Sequence, residues 1–152
     1  MLNDVAISFV ERCDLGQLVK LCEKHAAYEK STYSLIGKEK KLGDHLFGSA
    51  PSLQCLVAKR QSTVVAYATF MKQFSTWESE HYLYLDCLFL EESVRGLGLG
   101  GKMMNEVAKY ADEQNCPTIQ WQTPTFNQKA IAFYKKLGAI EKQKARFFWC
   151  IE

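Results

Sequence analysis

Residues 94–104 read VRGLGLGGKMM, with four glycines in the six positions from Gly96 to Gly101. Ahead of them runs HYLYLDCLFL, a nearly unbroken apolar stretch suited to a strand. Behind them Leu99, Met103, Val107 and Ala111 recur at helical spacing as far as about Gln114. A strand, a glycine-rich turn and a helix in that order leave the chain little freedom. The glycines let the backbone turn tightly, and the helix begins with unpaired N–H groups at its positive end. Such a junction suits an anion, a phosphate above all. The plainer alternative is a connection whose amides meet only water, but a simple strand-to-helix turn does not need four glycines.

Two phosphate-binding templates fail on the surrounding residues. Gly96, Gly98 and Gly101 satisfy G-x-G-x-x-G, the dinucleotide pattern, which requires an acidic residue about 20 positions on to hold a ribose. No Asp or Glu occurs between Gln114 and Ile140, and the motif follows several strands instead of opening the first β-α unit. Gly96 to Lys102 satisfy G-x-x-x-x-G-K, but Met103 stands where a hydroxyl must ligate magnesium. A third pattern, Arg95-x-x-Gly98-x-Gly100, meets neither objection.

The remaining segments predict a mixed α/β architecture. ISFV is a short strand candidate, and Asp14 is placed to cap a helix carrying Leu15, Leu18, Val19 and Cys22 on one face. Residues 31–52 are polar and irregular around a short helix over Lys38–Phe47. LQCLVAK and TVVAYATFM predict neighbouring strands with RQST as the turn. The continuity of HYLYLDCLFL predicts a central strand covered on both faces. TIQWQT predicts a further strand, NQKAIAFYKKL an amphipathic helix closed by Gly138, and ARFFWCI a final strand. The order β-α-(α)-β-β-β-α-β-α-β is that of one domain, residues 1–152, with helices flanking a central sheet.

Composition narrows the class of function. Hydrophobic residues at 47% and charged residues at 24% are those of a soluble globular protein. No apolar run approaches the ~20 residues of a membrane span. The N-terminus, MLNDVAISFVERCD, lacks the basic and apolar regions of a secretory signal. Cys13, Cys22, Cys55, Cys87, Cys116 and Cys150 form no C-x-x-C pair. Most lie in apolar patterns, so buried free thiols, a cytoplasmic location and no metal are expected. A net charge of +2 argues against nucleic acid.

Taken together, LVAK, STW, LYLDCLFL, VRGLGLGGKMM and NQKAIAFYKKLGA resemble the GNAT N-acetyltransferase superfamily over nearly the whole chain. Within it the chain resembles the diamine (spermidine/spermine) acetyltransferase branch. The resemblance implies a GNAT-like α/β fold with a mixed, mostly antiparallel sheet, and acetyl-CoA as acyl donor. It also implies that the loop amides of Gly96, Leu97, Gly98, Leu99, Gly100 and Gly101 bind the coenzyme pyrophosphate. Arg95 either adds charge there or stays solvated. The main chain of Leu88, Phe89 and Leu90 would pair with the pantetheine arm as an added strand. Asn127 would reach the coenzyme or serve as an ordinary N-cap. Lys129 and Ala130 complete the implied coenzyme set, and Lys129, Lys135, Lys136, Lys142, Lys144 and Arg146 give the C-terminal part a basic character that suits phosphates.

Two residues carry the implied chemistry. The family pattern puts the Tyr134 hydroxyl beside the coenzyme sulfur, where a phenol of pKa ~10 can protonate a thiolate whose conjugate acid lies near ~8–9. The competing reading is one more packing aromatic beside Ala130, Phe133 and Leu137. Asp86 interrupts an otherwise apolar strand, and an ionised carboxylate buried there costs several kcal/mol unless paired. A cationic amine, a structural hydrogen bond, or work as a base would each account for it. The diamine branch usually carries Glu followed by Asp here, whereas this chain has Asp86 and Cys87. No Lys or Arg occurs from Gln73 to Val94, while Glu78, Glu80, Asp86, Glu91 and Glu92 are acidic, which favours a cationic acceptor. AAYEKSTYSL, however, lacks the acidic run that often follows the first helix of that branch. The expectation is direct attack of a small primary amine, polyamine, diamine or lysine-like, on the thioester, in a homodimer with the C-terminal strand at its interface. The alternatives are a non-catalytic acyl-CoA-binding regulatory domain and an acetyltransferase of aminoglycoside or protein amines.

Overall fold

The computed structural model describes residues 2–152. Five strands, β1 (Val5–Phe9), β2 (Gln54–Arg60), β3 (Thr63–Ser75), β4 (Glu80–Leu90) and β5 (Ile119–Gln120), form one sheet in the order β1-β2-β3-β4-β5. The β-branched and aromatic run TVVAYATF fills β3 at the middle of that order, and seven of its first eight positions are buried, as a strand covered on both faces requires. A two-residue turn, Gln61 and Ser62, joins β2 to β3, with Gln61 at a positive φ of 56°. β1 to β4 pair antiparallel, and β5 joins β4 in parallel at Leu83–Ile119 and Tyr84–Gln120. The mixed, mostly antiparallel sheet is therefore as expected.

The two faces are covered by different helices. On one face Cys55, Val57, Val64, Tyr67 and Phe89 form a core with Leu15, Leu18 and Leu21 of α1 (Leu15–Tyr28) and Leu46 of α2 (Lys38–Phe47). The opposite face receives α3 (Leu99–Glu113), whose Leu99, Met103, Val107 and Ala111 are buried. There Tyr110 packs its ring on Phe70 at 5.0 Å and meets Phe9 at 6.0 Å. Side chains alternate across a strand, so each face needs its own apolar set, and the helical spacings supply them.

Several local expectations need correction. Asp14 occupies the N-cap position of α1 but caps nothing with its side chain. Its buried carboxylate instead accepts the Glu11 N–H at 2.9 Å and pairs with Lys59 Nζ at 2.9 Å, tying the helix start to β2. On α1, Leu21 is buried and Cys22 only partly so. Of the cysteines, Cys55 and Cys116 are buried, Cys22 and Cys87 half-buried, and Cys13 and Cys150 exposed; all are free. β4 is not covered throughout on both faces, since Leu83, Leu85 and Phe89 are buried while the residues between them stay partly or fully open. Of the strand expected over TIQWQT, only Ile119 and Gln120 pair, with Leu83 and Tyr84 of β4.

Two compact units divide the chain, one reaching to Gln122 and the other Thr123–Glu152. The second contains α4 (Gln128–Lys136), none of whose residues is buried. Ala130, Phe133 and Leu137 thus do not form the buried stripe expected of them. ARFFWCI is not a strand: no residue after Lys136 joins a sheet, and Phe147, Phe148, Trp149 and Ile151 are 89, 81, 88 and 84% exposed. The run of consecutive aromatics, Phe147 to Trp149, has high strand propensity, but propensity alone does not form a strand without a ladder to join.

Leu18 is fully buried where α1 meets the sheet. Leu18→Ala is expected to lower unfolding free energy by about 2–5 kcal/mol, read from urea denaturation.

Candidate active site

The site is organised by one irregularity in β4. Thr69 of β3 pairs with Cys87 and Phe70 with Leu85, so Asp86 has no partner and is the extra residue of a β-bulge. Cross-strand partners share a face. Leu85 therefore lies with Phe70 toward α3, and Cys87 lies with Thr69 toward α1, although simple alternation would have put both on one side. Asp86 takes the Cys87 thiol at 3.7 Å, and its charge acts on Cys22 and His25 of α1. Its carboxylate thus looks toward α1. Asp86 is exposed, which corrects the expectation of a buried carboxylate: the bulge swings it out of the apolar run and into solvent reach.

Past the bulge, β4 continues to Leu90, whereas its pairing with β5 stops at Tyr84. The Glu91 N–H donates to Val65 O at 2.8 Å. Antiparallel alternation then turns the N–H and C=O of Phe89 and Cys87 toward β3, and those of Leu88 and Leu90 outward. Of the three residues proposed for an added strand, Leu88 offers its main-chain groups on the open edge and Leu90 its N–H, while the Leu90 carbonyl already accepts from Arg95 Nε. Phe89 instead contributes its buried ring to the α1 core.

The strand leads through a short 3₁₀ turn, Glu92–Val94, into the glycine loop. Gly96 and Gly98 have φ of 74° and 86°, a left-handed conformation that glycine alone takes without strain. A Cβ at Gly96, Gly98 or Gly101 would meet no heavy atom within 4 Å, so the space over the loop is open. The first ladder bond of α3 runs from Lys102 N–H to Gly98 O at 3.2 Å. The amides of Leu99, Gly100 and Gly101 precede that ladder, and Leu97 is exposed at the loop crest. These features fit a diphosphate. Arg95 turns away from the loop: its Nε donates to Leu90 O at 2.8 Å and its guanidinium lies over the rings of Tyr28 and Phe89, at 4.7 and 5.3 Å.

Beneath the bulge lies a polar group that no motif announced. His25 Nδ1 is 2.7 Å from the Tyr67 hydroxyl and its Nε2 is 3.2 Å from Glu29 Oε1, while its ring stacks on Phe89 at 5.1 Å. Cys22 and Cys87 hydrogen-bond the same Tyr67 hydroxyl. Burial pushes the Tyr67 hydroxyl and the Cys22 thiol up and takes Cys87 to about 12. These thiols stay protonated, so none acts as an acyl carrier. Leu18, Leu21, Cys22 and His25 fall at helical spacing, which is the one sequence signal that could have placed His25 on the buried side.

In the C-terminal unit, Asn127 is the N-cap of α4, its Oδ1 accepting the Ala130 N–H at 3.3 Å and its Nδ2 donating to Thr123 Oγ1 at 3.4 Å. Lys129 is exposed and Ala130 half-buried. Tyr134 is half-buried with its ring against Phe133 at 5.2 Å, and Lys135 pairs with Glu141 at 2.7 Å.

The profile of the Acetyltransferase (GNAT) family matches residues 18–139. The chain is 29% identical to thialysine N-epsilon-acetyltransferase of Bos taurus over 154 aligned residues, covering 96% of this chain and 90% of that one. It is 23% identical to spermidine/spermine N(1)-acetyltransferase-like protein 1 of Homo sapiens, over 89% of this chain and 20% of the other. Among solved structures, an aminoglycoside acetyltransferase from an uncultured soil metagenomic sample, in complex with trehalose, shares the fold. Its TM-score is 0.84 at 16% identity, with each chain covered completely.

Gly98→Ala places a side chain at a φ of 86°. It is expected to cost about 1–2 kcal/mol of stability. By displacing the loop amides it should also weaken coenzyme A binding by roughly tenfold or more, measured by calorimetry.

Proposed function

The chain belongs to the GNAT acetyltransferase family and is an N-acetyltransferase of a small amine; on that premise we propose that it moves acetyl from acetyl-CoA to one ammonium-bearing end of a cationic acceptor, lysine-like or a polyamine or diamine. The observation that carries this reading is the bulge, which brings an exposed carboxylate and an outward main-chain edge together on one strand. The similarity to a thialysine acetyltransferase favours a lysine-like acceptor. So does Cys87, which leaves a single carboxylate at the bulge.

Acetyl-CoA supplies the reactive thioester. The amides of Gly96 to Gly101 hold its diphosphate at the start of α3, where the helix dipole favours negative charge. Leu88 and Leu90 hold its pantetheine arm by main-chain hydrogen bonds, with Asn127, Lys129 and Ala130 as further contacts from α4. The Leu88 N–H donates to the carbonyl oxygen as negative charge develops there. Asp86 holds the ammonium and, being open to solvent, passes its proton to water, leaving a neutral amine to attack directly. The Tyr134 hydroxyl gives its proton to the departing sulfur.

Two further features belong to this reading. Six free cysteines suit a reducing cytoplasmic compartment, and no helix among the described residues is long and apolar enough to cross a membrane. The exposed aromatics of the C-terminal tail support a homodimer. Light scattering should then give twice the 17.4 kDa of one chain, and W149S with F148S should shift the mass to that of a monomer.

Free-thiol release from acetyl-CoA across lysine, thialysine, spermidine, diamines and an aminoglycoside tests the acceptor class, and no release with any of them would refute it. Tyr134→Phe should lower kcat by about tenfold or more with little change in KM for the amine. Asp86→Asn should raise KM for the amine by about tenfold or more while coenzyme A binding is unchanged. Unchanged kinetics in either variant would remove that residue from its role.

A further inference from the structure

From residue 31 to residue 40, where the chain passes from α1 into α2, only Tyr33 and Lys38 are half-buried and all the others are exposed. The Tyr33 hydroxyl hydrogen-bonds the Cys22 thiol, and Lys38 Nζ lies over the Tyr33 ring, 5.1 Å from its centroid. Cys22 and Cys87 share the Tyr67 hydroxyl, and Cys87 reaches Asp86 at 3.7 Å. A continuous run of contacts therefore joins Lys38 to the bulge. The Cys22 thiol stands in the field of both charges, Asp86 and Lys38.

Lys38 has no acid of its own. Glu39 turns its carboxylate toward Gly16 at the start of α1, 3.9 Å from where a Cβ would stand, and Lys40 pairs with Asp44 at 2.8 Å. Glu23 of α1 acts on the Tyr33 hydroxyl but is exposed, and Glu29 is bonded to His25. The other cations near the bulge are engaged: Lys24 by Glu91, and Arg95 by Leu90 O and the rings of Tyr28 and Phe89. Among the described residues Lys38 makes no ion pair. The face of the Tyr33 ring attracts its ammonium but leaves donors of that ammonium unused. A half-buried cation with spare donors suits a carboxylate brought from outside.

We propose that Lys38 is a specificity-determining residue of the acceptor site: it takes the carboxylate of an ω-amino acid whose reactive ammonium lies on Asp86, and so selects thialysine-like acceptors over diamines and polyamines. This deepens the reading given above and rests on Asp86 as the ammonium-holding residue. Attraction and repulsion work in the same sense. A carboxylate gains charge-assisted hydrogen bonds from Lys38, whereas the second ammonium of a diamine meets a like charge there. Tyr33 is a positioning residue, since its bond to Cys22 fixes the ring over which the ammonium lies.

The test measures free-thiol release from acetyl-CoA with thialysine, its carboxamide and bis(2-aminoethyl) sulfide, the diamine left when the carboxylate is removed. In the wild type kcat/KM should be about tenfold or more higher for thialysine than for either of the others. Lys38→Met should bring the three within about twofold of one another, by raising KM for thialysine while kcat and coenzyme A affinity hold. Lys38→Arg should keep the preference, and Lys38→Glu should reverse it toward the diamine. A wild type that turns over the diamine as well as thialysine, or a Lys38→Met variant with wild-type selectivity, overturns the proposal. Asp86→Asn separates it from the reading beneath it: KM should rise for all three acceptors, whereas Lys38→Met raises it for thialysine alone. Unchanged KM in Asp86→Asn, or no release with any acceptor, overturns that reading and the proposal with it.

Discussion

One unpaired residue in β4 governs the arrangement of the larger unit. A bulge breaks the ladder, bends the strand and reverses which face each later side chain occupies. Here those three effects coincide. The break falls just past Tyr84, where the pairing with β5 ends, and beyond it the main chain of Leu88 faces away from β3. The reversal gives Leu83 and Leu85 to the α3 core and Phe89 to the α1 core. The bend swings Asp86 out of both. A regular strand of the same sequence would force either Asp86 into an apolar layer or Cys87 and Phe89 onto the wrong face.

The glycine loop depends on the same strand. β4 delivers the chain to Glu91, whose N–H is still bonded to Val65 and whose carboxylate pairs with Lys24, so the loop starts from a fixed point. Arg95 fastens its near side by bonding Leu90 O and covering Tyr28 and Phe89. The far side is fixed by α3, whose first turn buries Leu99. Between those anchors two glycines absorb the left-handed turns. The loop amides at the start of α3 are therefore held in place without help from exposed Leu97. The guanidinium that the sequence offers to phosphate serves to hold the loop instead.

Much of this was legible in the sequence where a pattern and its physical cause coincide. The periodicity of Leu99, Met103, Val107 and Ala111 gave α3, and Lys38–Phe47 gave α2, because helical burial repeats within the element itself. The strand-loop-helix junction was legible for the same reason. What escaped depends on partners distant in the chain. The bulge is a property of register between β3 and β4, invisible in either alone, so Asp86 reads as buried until the pairing is known. The carboxylate of Asp14 looks like a cap until Lys59, 45 residues on, is seen beside it. ARFFWCI carries strand chemistry without a neighbour to pair with. His25 lies on the apolar stripe of α1, but its meaning comes from Tyr67 and Phe89 across the interface.

The composition of the buried polar group also bears on the charge the bulge carries. A second carboxylate at position 87 would lie beside Asp86, under Tyr67 and in a place where burial already raises the Cys87 thiol and the Tyr67 hydroxyl. Like charge and desolvation act in the same direction on such a pair, and one member would take a proton unless a dication were bound. Cys87 avoids that conflict: as a neutral thiol it donates to Asp86 and adds no charge beside Tyr67.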